Sequence, residues 1–199
     1  MIGIFEETIL TRKVPLRSSL FLRPMHPKTE IRPRVDAIQR VLDAGWVGQL
    51  KIHGHRAQIH ISADPQEPVT LYNRQGQVHK KDISPLMLSE LRRVFGPTSG
   101  WNVLDGEWLK PEERIYVFDF IKQENLLLNR LNFQERWHKL PRAYLSPCLQ
   151  TLPYLTTLAQ CLEALALPSE NIEGLVFKSL TPGFEDTSII RCRKELPRT

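Results

Sequence analysis

The run Lys51-Ile52-His53-Gly54-His55-Arg56 puts a primary amine just before a glycine and a guanidinium just after it. The arms on either side, Trp46 to Ile52 and Arg56 to Ile61, are apolar-rich and read as strands. Gly54 marks the turn between them, because glycine accepts backbone conformations that other residues resist. A lysine at a strand end beside such a turn is either a nucleophile or a solvated surface lysine. Further clusters downstream carry the residue types that handling a nucleotide needs. They are Asn73-Arg74, Asp105-Gly106-Glu107, Tyr116-Val117-Phe118-Asp119 and Glu173-Gly174-Leu175-Val176-Phe177-Lys178, followed by Arg191-Cys192-Arg193-Lys194. Arginine and lysine neutralise phosphates, and carboxylates accept from hydroxyls or hold metals. Taken singly, each charge reads as a solvated surface group and each aromatic as core packing.

The elements that must position these groups follow from periodicity. Residues 1 to 34 are broken by Pro15, Pro24, Pro27 and Pro33 and read as extended, with one short strand. Val35 to Ala44 has the apolar spacing of a helix face, ended by Gly45. Strands are expected at Val69–Tyr72, Trp101 to Leu109, Arg114 to Ile121, Ile172 to Leu180 and Thr187 to Arg193. Helices are expected at Leu86 to Phe95, behind Pro85, at Asn132 to Leu140 and at Leu155 to Ala166. Strands mostly in hairpin order predict an α+β fold with antiparallel sheets flanked by helices. With no repeat or linker, residues 1 to 199 read as one domain with an extended basic N-terminal segment.

Composition sets the outer limits. Hydrophobic residues make up 41% and charged residues 25% of 199 residues, ordinary for a globular chain. No apolar run reaches the roughly 20 residues that span a bilayer, and the N-terminus has no secretory pattern. The odd, widely spaced Cys148, Cys161 and Cys192 fit reduced thiols in the cytoplasm. His53, His55 and His60 lack a nearby cysteine or carboxylate to complete a zinc site. A net charge of +5 suits a polyanionic partner. Residues 11 to 34 carry seven arginines and lysines against Glu30 alone, a solvated basic arm or a phosphate-contacting one.

The five clusters, in this order, resemble the covalent nucleotidyltransferases: ATP-dependent DNA ligases, RNA ligases and mRNA capping enzymes. That family shows K-x-D-G-x-R, an arginine after a strand, D-G-E, an aromatic before Asp, E-G-hydrophobic-hydrophobic-x-K and a K-x-K strand. The resemblance covers roughly residues 20 to 194. LRPM, GQLKIHGHRAQIHI, LYNRQGQ and VFDFIKQENLLLNRLNFQERWHKL are closest to the DNA ligases, with RNA ligases next. It implies an adenylation domain with a ligase-type, ATP-grasp-like fold and no OB-fold domain. The partner would be nicked double-stranded DNA, or RNA, with no membrane and with a separate OB-fold or clamp partner possible. The setting would be cytoplasmic, at the nucleoid in a bacterium.

By that resemblance, Lys51 attacks the α-phosphorus of ATP and becomes lysyl-AMP. AMP then passes to the 5′-phosphate of a nick, and the 3′-hydroxyl displaces it. Lys51 must first lose a proton, and nearby cations would lower its pKa from about 10.4. Arg56 and Glu107 would hold the ribose hydroxyls, Phe118 would stack on adenine and Gln49 would accept from its amino group. Tyr116 reads as core. Glu173 would bind Mg²⁺ or Mn²⁺, with Asp105 beside it in the metal site. Arg74 would grip a nick phosphate. Arg191 and Arg193 would take the α-phosphate, with Lys178 closing the preceding motif. The chain departs from the pattern where His53 replaces the usual Asp and where Arg191 and Arg193 replace lysines. It also stops after the last motif, as a minimal protein or an excised domain would. These departures leave open a degenerate, non-adenylating nucleic-acid-binding module.

Overall fold

The computed structural model describes residues 21–141, 146–167, 171–184 and 188–194. Its elements run β1 (Thr29–Ile31), α1 (Val35–Asp43), β2 (Trp46–Ile52), β3 (His55–Ser62), β4 (Thr70–Tyr72), α2 (Pro85–Phe95) and β5 (Trp101–Leu109). There follow β6 (Arg114–Gln123), β7 (Leu126–Leu127), α3 (Phe133–Trp137), β8 (Leu149–Thr151), α4 (Leu158–Ala166), β9 (Ile172–Ser179) and β10 (Ile189–Arg193). Most of these match the periodicity of the sequence to within a few residues.

The strands form two sheets. One has the order β1-β10-β9-β2; the other runs β4-β3-β5-β6-β7, with β8 added to β6. The fold is α+β with mainly antiparallel pairing. The exceptions are two short strands, β1 on β10 and β8 on β6, which pair in parallel. Each sheet buries one face. Ala57, Ile59, Ile61, Leu104 and Trp108 pack with Met87, Leu91 and Phe95 of α2. In the other sheet, Leu175, Phe177 and Cys192 pack with Ile38 of α1 and Cys161 and Ala164 of α4. Ser84 caps α2 by accepting from the Met87 amide, and Thr157 with Gln160 forms a capping box on α4. All three cysteines are free and buried. Among the described residues no helix is long and apolar enough to cross a membrane.

Several expectations change in detail. The strands flanking Gly54 do not form a hairpin with each other: β2 belongs to the first sheet and β3 to the second. Gly54 is needed for close approach rather than for a left-handed φ, which it does not have. A Cβ there would lie 2.9 Å from Leu109 Cδ2 and 3.0 Å from the Trp108 carbonyl oxygen. The helix expected from Leu155 starts later because Leu155 exchanges backbone hydrogen bonds of 2.7 and 2.8 Å with Gly48 and is held extended. Thr187, expected to open the last strand, lies outside the described residues, as do residues 1–20 of the basic segment.

Candidate active site

Strand alternation puts the expected site residues of the first sheet on its open face. Across that face, Lys51 of β2 lies opposite Gly174 of β9, which lies opposite Arg193 of β10. The next row is Gln49, Val176 and Arg191. Lys51 and Arg193 are thus two strand spacings apart, roughly 10 Å. Gly174 between them has φ +148°, and a Cβ there would meet the Cys192 carbonyl oxygen at 2.1 Å. The missing side chain lets the β10 backbone lie close against β9 between the amine and the guanidinium. The pairing of β2 and β9 slips after Lys51, so Glu173 is an extra residue in its strand. This bulge aims its carboxylate at the Lys51 amine, with which it forms an ion pair. The other carboxylate oxygen lies 2.5 Å from His53 Nδ1. An aspartate at 53 would meet Glu173 as a like charge; the imidazole is accommodated. The direct partner of Lys51 is therefore an anion, where cationic neighbours were expected.

The second sheet supplies the facing wall. Arg56 pairs with Glu107, and Gln58 with Asp105, across β3 and β5. Asp105 is 1% exposed. It gives both oxygens to Arg56, Oδ1 accepting from Nε at 2.5 Å and Oδ2 accepting from Nη2. Asp105 thus anchors Arg56, and it does not itself line the cleft. Burial opposes the charge on Arg56, but the Asp105 carboxylate outweighs it and raises the pKa. Burial pushes the Glu107 carboxyl up to about 7, with Asp105 and Glu173 adding to the shift and Arg56 and Lys51 opposing it. Phe118 is the extra residue where β6 slips against β5, and the Arg56 guanidinium carbon lies 4.8 Å from its ring centroid.

Two buried polar groups face this space. Gln49 is 2% exposed, and its amide nitrogen donates to the Leu152 carbonyl at 3.2 Å and the Phe118 carbonyl at 3.5 Å. That fixes the amide orientation and leaves its oxygen as the group able to accept. Lys178 is 4% exposed, and its Nζ has no hydrogen-bond partner. Nζ lies 4.0 Å from Asp119 Oδ2 and 4.6 and 4.2 Å from the Phe118 and Phe133 ring centroids. Burial lowers its pKa to about 8 against the pull of Asp119 and Asp105. Asp119 itself is held by Arg136 of α3 through bonds of 2.8 and 2.9 Å.

Between the walls is a cleft of about 980 Å³, large for a small-molecule site. All the expected site residues except Asp105 line it, including Arg74 beyond β4. Sequence reasoning missed the loop lysines Lys80 and Lys110 and the imidazole of His79 on the same cleft, which have no motif to mark them. Arg23 and His26 also line it, in the segment that the basic run of residues 11 to 34 and the LRPM resemblance point to. A side chain docks this lead-in: Gln58 donates to the Leu22 carbonyl at 2.6 Å and accepts from its amide at 3.1 Å. Among the described residues no three metal-ligating side chains are gathered together. A half-buried carboxylate such as Glu173 suits a divalent ion that brings most of its oxygen ligands on a nucleotide's phosphates.

No family model and no curated protein sequence matches the chain. Solved structures do. A mycobacterial DNA ligase D complexed with ATP and MES aligns with TM-score 0.53 at 17% identity, over 74% of this chain and 54% of that one. The ligase domain of Mycobacterium tuberculosis LigD aligns with TM-score 0.52 at 18% identity, over 83% of this chain and 58% of that one. A Lig E DNA ligase, described as binding DNA with a minimal scaffold, aligns with TM-score 0.53 at 14% identity, over 88% and 70%. This is the ligase nucleotidyltransferase fold. The chain spans a little over half the length of the ligase D structures it matches. Within the ligase fold, the lysine, the carboxylates and the paired arginines of this chain line one cleft.

Proposed function

We propose that this chain is an ATP-dependent DNA ligase domain that seals 5′-phosphate/3′-hydroxyl nicks through a lysyl-AMP intermediate on Lys51. The observation that carries the reading is the row Lys51–Gly174–Arg193 across three strands, with Lys51, Arg193, Glu107 and Phe118 all lining one cleft. Adenine would lie against Phe118, its amino group donating to the Gln49 oxygen. Glu107 would accept from the ribose and Arg56 would donate to it. Lys178, Arg191 and Arg193 would neutralise the phosphates. The unprotonated Lys51 amine forms a bond to the α-phosphorus as the bond to pyrophosphate breaks, giving a phosphoramidate. AMP then transfers to the nick 5′-phosphate, gripped by Arg74, and leaves when the 3′-hydroxyl attacks. Glu173 would hold a magnesium or manganese ion, which would stabilise charge on the transferring phosphates.

The single-domain organisation belongs to this proposal, as does recruitment of a separate OB-fold or clamp partner to enclose DNA. The direct test is sealing of a labelled nicked DNA duplex with ATP, alongside a nicked RNA duplex and Lys51→Ala. Sealing of DNA, lost in the variant, supports the reading; preference for the RNA nick would make the chain an RNA ligase. One observation favours a non-adenylating binding module: Lys51 and His53 together engage both oxygens of Glu173. That reading requires nick binding without sealing, even when the nick is pre-adenylated.

A further inference from the structure

Glu30 is the only acidic residue between positions 11 and 34, in a stretch otherwise rich in arginine and lysine. The fold places it beside two cations. Parallel pairing of β1 with β10 sets Glu30 opposite Arg191, so both side chains rise on one face, and Arg193, two residues on, shares it. Glu30 Oε2 accepts from Arg191 Nε at 2.7 Å, and Oε1 lies 3.8 Å from Arg193 Nε. One carboxylate therefore spans two arginines. It hydrogen-bonds Arg191 through Nε, the inner nitrogen of the fork, and holds Arg193 only as a looser ion pair.

A guanidinium is planar and has five N–H donors. Engaging Nε fixes the plane and leaves four donors on the two terminal nitrogens. Arg191 and Arg193 line the cleft, whereas Glu30 stands behind them and does not. A lysine carries its three donors on one freely rotating nitrogen, so a carboxylate behind it would not fix their direction toward a phosphate ahead of it. The side chains of Glu30, Arg191 and Arg193 are 38%, 26% and 49% exposed. Ion pairs that open to water add little to fold stability, so stability alone gives Glu30 little purpose here.

We propose that Glu30 is a positioning residue that orients the Arg191 fork, and draws Arg193 alongside it, for one phosphate group of the bound nucleotide. It makes arginine workable where the ligase-like pattern has lysine. The inference rests on the nucleotide reading of the cleft, but its probe does not require adenylation.

The test measures binding of tripolyphosphate, ATP and adenosine to the wild-type chain, to Glu30→Gln and to Arg191→Lys/Arg193→Lys, with and without Glu30→Gln. Loss of one charge-assisted orienting contact should weaken tripolyphosphate and ATP about tenfold. Adenosine binding and thermal stability should stay unchanged. In the double-lysine background, Glu30→Gln should have little effect or improve binding. Tighter or equal tripolyphosphate binding by Glu30→Gln in the arginine background would overturn the proposal. So would an equal loss for adenosine, or an equal loss in the lysine background. Lysyl-AMP formation is scored separately. Glu30-dependent phosphate binding without the adduct defeats the ligase reading and supports this inference; adduct formation with Glu30→Gln indifferent to phosphate does the reverse.

Discussion

Replacing Lys178 by methionine should make the chain more stable and a poorer nucleotide binder. Lys178 is buried with its Nζ unpartnered, and its pKa falls from 10.5 to about 8. At 1.36 kcal/mol per unit, that shift corresponds to a penalty of about 3 kcal/mol for holding the charge in the folded state. The faces of Phe118 and Phe133 offset about 1–2 kcal/mol of it by cation–π attraction. Methionine has similar length and no charge, and Asp119 keeps its bidentate bond to Arg136. A net gain of about 1–2 kcal/mol at pH 7 is expected. The sign with pH follows from the lowered pKa. Between about 8 and 10.5 the unfolded chain keeps a proton that the folded chain releases, so wild-type stability should gain on the variant as pH rises. Urea unfolding of both proteins at pH 7, 9 and 10 measures this, with ATP-analogue binding alongside. A variant less stable at pH 7, or a difference constant with pH, would refute the reasoning.

Gly174→Ala places a Cβ 2.1 Å from the Cys192 carbonyl oxygen at φ +148°, so it should cost about 3 kcal/mol or more. An unfolding free energy from urea titration lowered by less than a third of that would show that β10 can move away freely. Glu107→Gln should flatten the pH dependence of stability between about 4.5 and 7. There the folded carboxyl keeps a proton that the unfolded chain gives up, so wild-type stability falls as pH rises through this window, by up to about 3 kcal/mol. Equal slopes for the two proteins in denaturation between pH 5 and 7 would contradict that.

The pieces of the fold with strong local signals were legible in the sequence. The long alternating strands and α2, with its Ser84–Pro85 start, appear almost where periodicity puts them. The hidden parts depend on tertiary partners. β7 and β8 are two or three residues long, too short to show a period, and exist because a longer strand lies beside them. Gly54 announced a turn but not the separation of its flanking strands into two sheets, since hairpin and crossover look alike over so few residues. In the site, order and resemblance singled out residues from Gln49 to Arg193, and the cleft brings most of them together. Resemblance did not show that Asp105 spends its carboxylate on Arg56, nor that Glu173 is the partner of both Lys51 and His53. The Glu173 contacts follow from a strand slip at Lys51/Ile52, which no local pattern signals, and the Asp105–Arg56 pair is a diagonal neighbour set by the register of β3 on β5.

The central claim is that Lys51 is a nucleophile toward ATP. The most direct measurement is intact mass after incubation with ATP and Mg²⁺ or Mn²⁺, with GTP and Lys51→Ala as controls. A gain equal to one AMP with ATP, absent with GTP and absent from the variant, is the predicted result. An unchanged mass in the wild type, or an adduct that persists in Lys51→Ala, would contradict it.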